Sequence, residues 1–226
     1  MAVKVCNISD KRGGGAVRIL VSGATATVRQ LAAAYPDHLG VLHTPQTGNR
    51  LCSLPLPWAA DNAAFSRPDD RKFWRLCVES WATERHHPPL WVAVPDVVGN
   101  HAATLRLFGW WLAYWLEELG RVPFPLAFVL QNGCHESEVP WGAIDAVFVG
   151  GDNRFKLRQS AGLIEAAKVR GKAVHIGRVN TLRRLRYAYD LGADTVDGTA
   201  YSMYPETHLP TALSFVRGLE KSRTLF

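Results

Sequence analysis

The chain has 226 residues, 47% of them hydrophobic, and a formal net charge of +6. That length and apolar content exclude wholesale disorder and suit one large domain spanning residues 1–226, while the positive balance is compatible with a polyanionic partner. Cys6, Cys52, Cys77 and Cys134 are scattered, without the C-x-x-C or C-x-H spacing of a zinc site or a disulfide framework, which points to a reducing compartment. No apolar run approaches the roughly 20 residues that a membrane helix needs, and no secretory leader is recognisable, so the expectation is a cytoplasmic protein with no membrane partner.

In chain order, Val3 to Ile8 reads as a short strand before Gly13-Gly14-Gly15. Arg18 to Ser22 reads as a strand, Thr25 to Tyr35 as a helix stopped by Pro36, and Gly40 to Thr44 as a second apolar strand. Pro55, Pro57 and Pro68 then predict a long irregular segment; its Trp58 to Phe65 stretch is apolar enough to be an ordered, functional loop. A helix started by Pro68 and Asp69 is expected to run to about Glu84, with Phe73, Leu76, Cys77 and Ser80 on one face. Leu90 to Val94 is apolar throughout, as in a strand buried on both faces, and the helix from His101 to Leu119 carries Leu105, Phe108, Leu112, Trp115 and Leu119 at helical spacing.

Strands follow at Leu126 to Leu130, Ala146 to Val149, Ala173 to Ile176 and Ala193 to Thr199, with helices expected at Lys156 to Arg170, Thr181 to Leu191 and Leu209 to Leu219. Continuous rather than alternating apolar strands separated by helices are the mark of a parallel sheet covered on its outer face. Seven strands, or eight with Val3 to Cys6, favour an α/β fold with a single (β/α)8 barrel, small or slightly degenerate. No G-x-G-x-x-G follows an early strand, which argues against a dinucleotide fold.

What ends each strand gives the candidate site, because catalytic groups of a parallel barrel gather at the C-terminal ends of its strands. Asp96, Gln131, Gly150-Gly151, His175-Ile176-Gly177-Arg178 and Asp197 close successive strands, and Asp61 and Phe65 lie in the ordered loop before them. Carboxylates, an amide and exposed glycine backbone in one cavity suit a planar polar heterocycle, with Phe65 offering a stacking face. Paired carboxylates also suit glycosidic chemistry, one attacking the anomeric carbon while the other moves protons. Any one of these residues taken singly is better explained as a cap or turn; the register, strand after strand, favours function. His175 reads as a buried strand histidine, Asp194 as a local turn or cap residue, and Trp110, Trp111 and Tyr114 as packing or a homo-oligomer interface.

Five segments in order, Asp61-Asn62-Ala63-Ala64-Phe65, Val94-Pro95-Asp96, Leu130-Gln131-Asn132-Gly133, Phe148-Val149-Gly150-Gly151 and Gly192-Ala193-Asp194-Thr195-Val196-Asp197, resemble the tRNA-guanine transglycosylase superfamily. His175-Ile176-Gly177-Arg178-Val179-Asn180 with Val196-Asp197-Gly198-Thr199 is most similar to its short branch, which places 7-deazaguanines into DNA in bacteria and phages. The resemblance covers roughly residues 40 to 200. It implies a covalent exchange: Asp197 attacks C1′ of a guanosine, Asp61 acts as general acid and base, and Asp96 and Gln131 read the base edge. The Gly150-Gly151 backbone would then meet the base carbonyl, with Phe65 and Ile176 sandwiching the ring.

The implied partners are DNA, with RNA as the less favoured polymer, and a free 7-deazaguanine; no cofactor or metal is implied, and a phage-encoded protein would work in the host cytoplasm. Departures are Ala63-Ala64 in place of paired glycines, Arg178 in place of a smaller residue, and the lack of the Cys-rich zinc module, which puts a tRNA substrate in doubt. Lys156 and Arg178 are expected to contact phosphates. Rival readings are a tRNA or RNA transglycosylase, a non-catalytic barrel subunit, a phosphate-binding small-molecule barrel enzyme and a hydrolytic DNA glycosylase.

Overall fold

A computed structural model describes residues 16–46, 54–65, 69–83, 88–122 and 124–224. Eight parallel strands close on themselves in sequence order: β1 (Arg18–Val21), β2 (Leu39–His43), β3 (Trp58–Ala60), β4 (Val92–Ala93), β5 (Leu126–Leu130), β6 (Ala146–Val149), β7 (Ala173–Ile176) and β8 (Thr195–Asp197). The last pairs with the first, Val196 opposite Ile19. Around them lie α1 (Ala26–Ala34), α2 (Asp70–Thr83), α3 (His101–Leu119), α4 (Asn153–Arg158), α5 (Ser160–Val169), α6 (Leu182–Asp190), α7 (Thr199–Met203) and α8 (Pro205–Thr224). The fold is a (β/α)8, TIM-type barrel. Among the described residues no helix is long and apolar enough to cross a membrane.

Strand alternation divides the apolar residues into two cores. Ile19, Val41, Trp58, Val92, Phe128, Val147, Val174, Ile176 and Val196 point outward and pack under the helices. Leu20, Leu42, Ala59, Ala93, Ala127, Val129 and Ala146 point inward with Trp91. The inner set is mostly small because Trp91 and Phe148 occupy the space that larger neighbours would fill, their ring centroids 5.8 Å apart. These rings fill part of the barrel interior.

Three expectations are corrected. The eighth strand is Trp58–Ala60, inside the segment expected to be irregular: three residues flanked by Pro57 and Asp61 are too short for periodicity to reveal. The strand expected at Val3 to Cys6 lies outside the described residues. The helix expected from Lys156 to Arg170 is two helices, α4 capped by the Asp152 side chain accepting from Phe155 N, and α5 starting at Ser160. On α3 the buried stripe is Thr104, Phe108, Trp111 and Trp115, rotated from the one expected, with Trp110 exposed and stacked on Tyr114 at 5.3 Å. Asp194 has a structural role, pairing with Lys168 at 2.9 Å and accepting from Val174 N at 2.7 Å.

Candidate active site

Segments following seven of the eight strands converge on one cavity of about 540 Å³ at the C-terminal end of the barrel. Its walls include Asp61, Phe65, Asp96, Gln131, Gly150, Gly151, Lys156, Arg178 and Asp197, nine of the ten residues expected at the site. Ile176 is the exception. It alternates outward on β7 into the layer beneath the helices, so it cannot sandwich a ring in the cavity; Gly177, the next residue, lines the wall instead.

The loop after β3 is shaped by two successive side-chain turns. Asp61 Oδ1 accepts from Ala63 N at 3.3 Å, and Asn62 Oδ1 accepts from Ala64 N at 2.7 Å. Asn62 then crosses to the next strand end, its Nδ2 donating to Val94 O at 2.8 Å and to Asp96 Oδ1 at 2.9 Å. The other oxygen of Asp96 accepts from Gln131 Nε2 at 2.6 Å, and Gln131 Oε1 accepts from Gly99 N at 2.8 Å. Both groups expected to read a base edge are therefore fixed in place by each other. Asn62 was not expected to matter, although it is the partner that any buried carboxylate at position 96 requires.

At the end of β6, Gly150 donates its N–H to Leu130 O at 3.0 Å, so it is committed to the barrel rather than to a ligand carbonyl. Gly151 turns with φ +70°, and its N–H has no hydrogen bond to another described residue. A Cβ on Gly151 would also come within 2.8 Å of Asn132 and Phe155, so the turn admits only glycine.

Lys156 and Arg178, both expected at phosphates, are engaged with backbone carbonyls of the barrel rim. Lys156 is buried in the cavity wall, its Nζ donating to Gly177 O at 2.6 Å. Burial, then the neighbouring Arg178 charge, push its ammonium down to about 8 against the opposing pull of Asp197. The Arg178 guanidinium donates to Gly151 O and lies over the Phe65 ring, 4.3 Å from its centroid. Phe65 is 66% exposed, so it and Arg178 form the outer edge of the opening.

Asp197 is at the floor, its side chain 21% exposed. Its Oδ1 accepts from Arg178 N at 3.2 Å and from His175 Nε2 at 3.1 Å, and His175 Nδ1 meets Thr195 Oγ1 at 2.9 Å. Burial acts to raise the Asp197 carboxyl, but the groups around it, the His175 ring first and then the Lys156 charge and the Arg178 N–H, outweigh it and hold the group below its ordinary value. Asp61 goes the other way. Burial first, then the nearby Asp197 and Asp96 charges, push it up to about 7. Asp96 is also raised, by burial, with the Asn62 and Gln131 donors opposing. One cavity therefore holds an ionised carboxylate and a second carboxyl poised to give or take a proton near neutrality, the pairing that general acid/base and nucleophilic chemistry need.

Fold and site together define a (β/α)8 barrel with a carboxylate-lined pocket at the C-terminal ends of its strands. No protein-family model matches the sequence, and no curated protein matches it.

Proposed function

We propose that this chain exchanges guanine in DNA for a 7-deazaguanine through a covalent glycosyl-enzyme on Asp197. The observation that carries the reading is the divergence of two carboxyls in one pocket: Asp197 held below its ordinary value and Asp61 pushed up to about 7. Asp197 would displace guanine from C1′ while Asp61 protonates the leaving base. Asp61 would then deprotonate the incoming base, which displaces Asp197 in turn. One pocket used alternately by leaving and entering bases makes the exchange ping-pong.

Asp96 and Gln131 supply an acceptor and an amide for the base edge, and Gly151 supplies a backbone donor for its carbonyl. The resemblance of five segments to guanine transglycosylases supports the same division of roles. For the polymer, the supporting features are the net charge of +6 and exposed Arg154 and Arg183, in the first turns of two helices that follow pocket-lining strand ends. The target base must leave the stack to reach a pocket at the centre of the barrel.

The test is incubation with labelled guanine or a labelled 7-deazaguanine and duplex DNA, single-stranded DNA or transfer RNA. Incorporation into DNA that disappears in Asp197→Ala, with folding and DNA binding retained, is the expected result. Incorporation only into RNA would reassign the polymer, base release without incorporation would indicate hydrolysis, and normal exchange by Asp197→Ala would overturn the mechanism.

A further inference from the structure

We infer that His175 is a positioning residue which, backed by Thr195, holds Oδ1 of Asp197 so that Oδ2 makes and breaks the bond to the sugar. This rests on the reading of Asp197 as the nucleophile. His175 is wholly buried inside the barrel, its ring 4.7 Å from that of Trp91 and 4.4 Å from that of Phe148. Thr195 and Asp197 are the inward residues of β8, with Val196 between them pointing out to the helices. His175 on β7 reaches both, making a continuous polar chain from Thr195 Oγ1 to Asp197 Oδ1.

Such a chain is costly in an interior otherwise built from Leu20, Leu42, Ala59, Ala93, Ala127 and Val129, where apolar residues of like volume would pack without unmet hydrogen bonds. Its direction is fixed by chemistry. An ionised carboxylate only accepts, so His175 carries its proton on Nε2, and its Nδ1 accepts a hydrogen bond from the Thr195 hydroxyl. Burial keeps the imidazole neutral, consistent with its lowered proton affinity. Asp197 therefore sets the tautomer, and the Thr195 hydroxyl, donating to Nδ1, secures the ring that grips Oδ1. Gly177 completes the fit: a Cβ there would come within 2.6 Å of Phe148 and 3.1 Å of Oδ1. Arg178 N supplies the second donor to Oδ1, while among the described residues no hydrogen bond reaches Oδ2.

In the first half of the exchange the Oδ2–C1′ bond forms as C1′–N9 breaks, and the departing N9 electron pair takes a proton from Asp61. In the second half N9 of the incoming base gives its proton to Asp61 and attacks C1′. The C1′–Oδ2 electron pair then returns to Asp197. His175 gives up no proton in either half. Its bond to Oδ1 weakens as the ester forms and strengthens as negative charge returns, so it helps the second half more than the first.

The experiment is single-turnover formation of the enzyme–DNA adduct and its discharge by a 7-deazaguanine, with thermal midpoints alongside. In His175→Phe, whose ring fills the same slot, discharge should slow about 100-fold and adduct should accumulate. Thr195→Val should slow discharge about 10-fold and Thr195→Ser should restore it. Discharge unchanged in folded variants, or both halves slowed equally, overturns the inference. If His175→Phe does not fold, Thr195→Val decides, together with 15N NMR of the wild-type imidazole. That spectrum should show the neutral Nε2–H tautomer at neutral pH; the other tautomer, or an imidazolium there, also overturns it. Absence of any adduct in the wild type is a different result: it removes the nucleophile reading itself.

Discussion

Lys156 donates to the Gly177 carbonyl at 2.6 Å and so brings a cation into the wall of the pocket beside Asp197. A contact to DNA phosphate would require that ammonium on the outer face. Lys156→Met should therefore leave the slope of log K against log salt unchanged, whereas Arg154→Ala or Arg183→Ala should each reduce it by about 1. Its effect should appear in the pH profile. The ammonium lowers the Asp197 carboxyl, so removing it raises that group, and the acid limb of kcat/KM should move to higher pH. A fall in salt slope with an unmoved acid limb would return Lys156 to the DNA surface.

Asp96 is held on both oxygens, by Asn62 at 2.9 Å and by Gln131 at 2.6 Å. In Asp96→Asn one of these donors must face the new amide N–H2 group, and a charged acceptor for the base is lost. The KM for the incoming base should rise about 30-fold, as expected for a hydrogen bond to a charged group. Asp96→Ala leaves Gln131 Nε2 without this acceptor and should cost about 1–3 kcal/mol of stability as well. Base-exchange kinetics and denaturant unfolding of the two variants separate recognition from folding.

Asp61 gives a pH dependence of stability whose sign is fixed. Its folded-state value of about 7 lies above its ordinary 3.8, so between those limits the folded protein binds more protons than the unfolded one. The stability associated with this group is fully present below pH 3.8 and is lost as pH rises through 7. Asp61→Asn cannot ionise. It should be more stable than the wild type at pH 8, by on the order of 2 kcal/mol, and show no such gain near pH 4. Thermal unfolding across that range measures the difference, and a gain of equal size at both pH values would assign it to packing. Base exchange should be lost in this variant at every pH.

Much of this was legible in the residues because a parallel barrel writes itself as apolar runs ending in polar groups. Leu126 to Leu130 followed by Gln131, and Ala146 to Val149 followed by Gly150-Gly151, needed no more than that. Trp58–Ala60 escaped because three residues carry no period. Ile176 was misplaced by one residue, and in a strand one residue exchanges inside for outside. The Asn62–Asp96–Gln131 and Thr195–His175–Asp197 chains join residues 34, 35, 20 and 22 positions apart in sequence; only barrel closure brings them together. The burial of Lys156 depends on a helix start folding over the strand ends, which charge patterning cannot reveal.

Ala63 sits at φ +60°, in the left-handed region that favours glycine, while Ala64 is not among the residues with positive φ. The Asp61 and Asn62 side-chain turns hold Ala63 there, so this alanine is strained by about 1 kcal/mol. Ala63→Gly relieves the strain but loosens the unfolded chain, and the two effects together should give between no change and a gain of about 1 kcal/mol. Ala64→Gly has no strain to relieve and should lose about 0.5–1 kcal/mol. Denaturant midpoints of the two variants test the contrast, and equal losses would show that the turns impose no strain. Ala63 also lines the pocket, so removing its methyl opens space beside Asp61. Ala63→Gly should therefore leave the pH dependence set by Asp61 in place while widening the range of bases accepted in the exchange, measured as the ratio of kcat/KM for a bulkier 7-substituted deazaguanine to that for guanine.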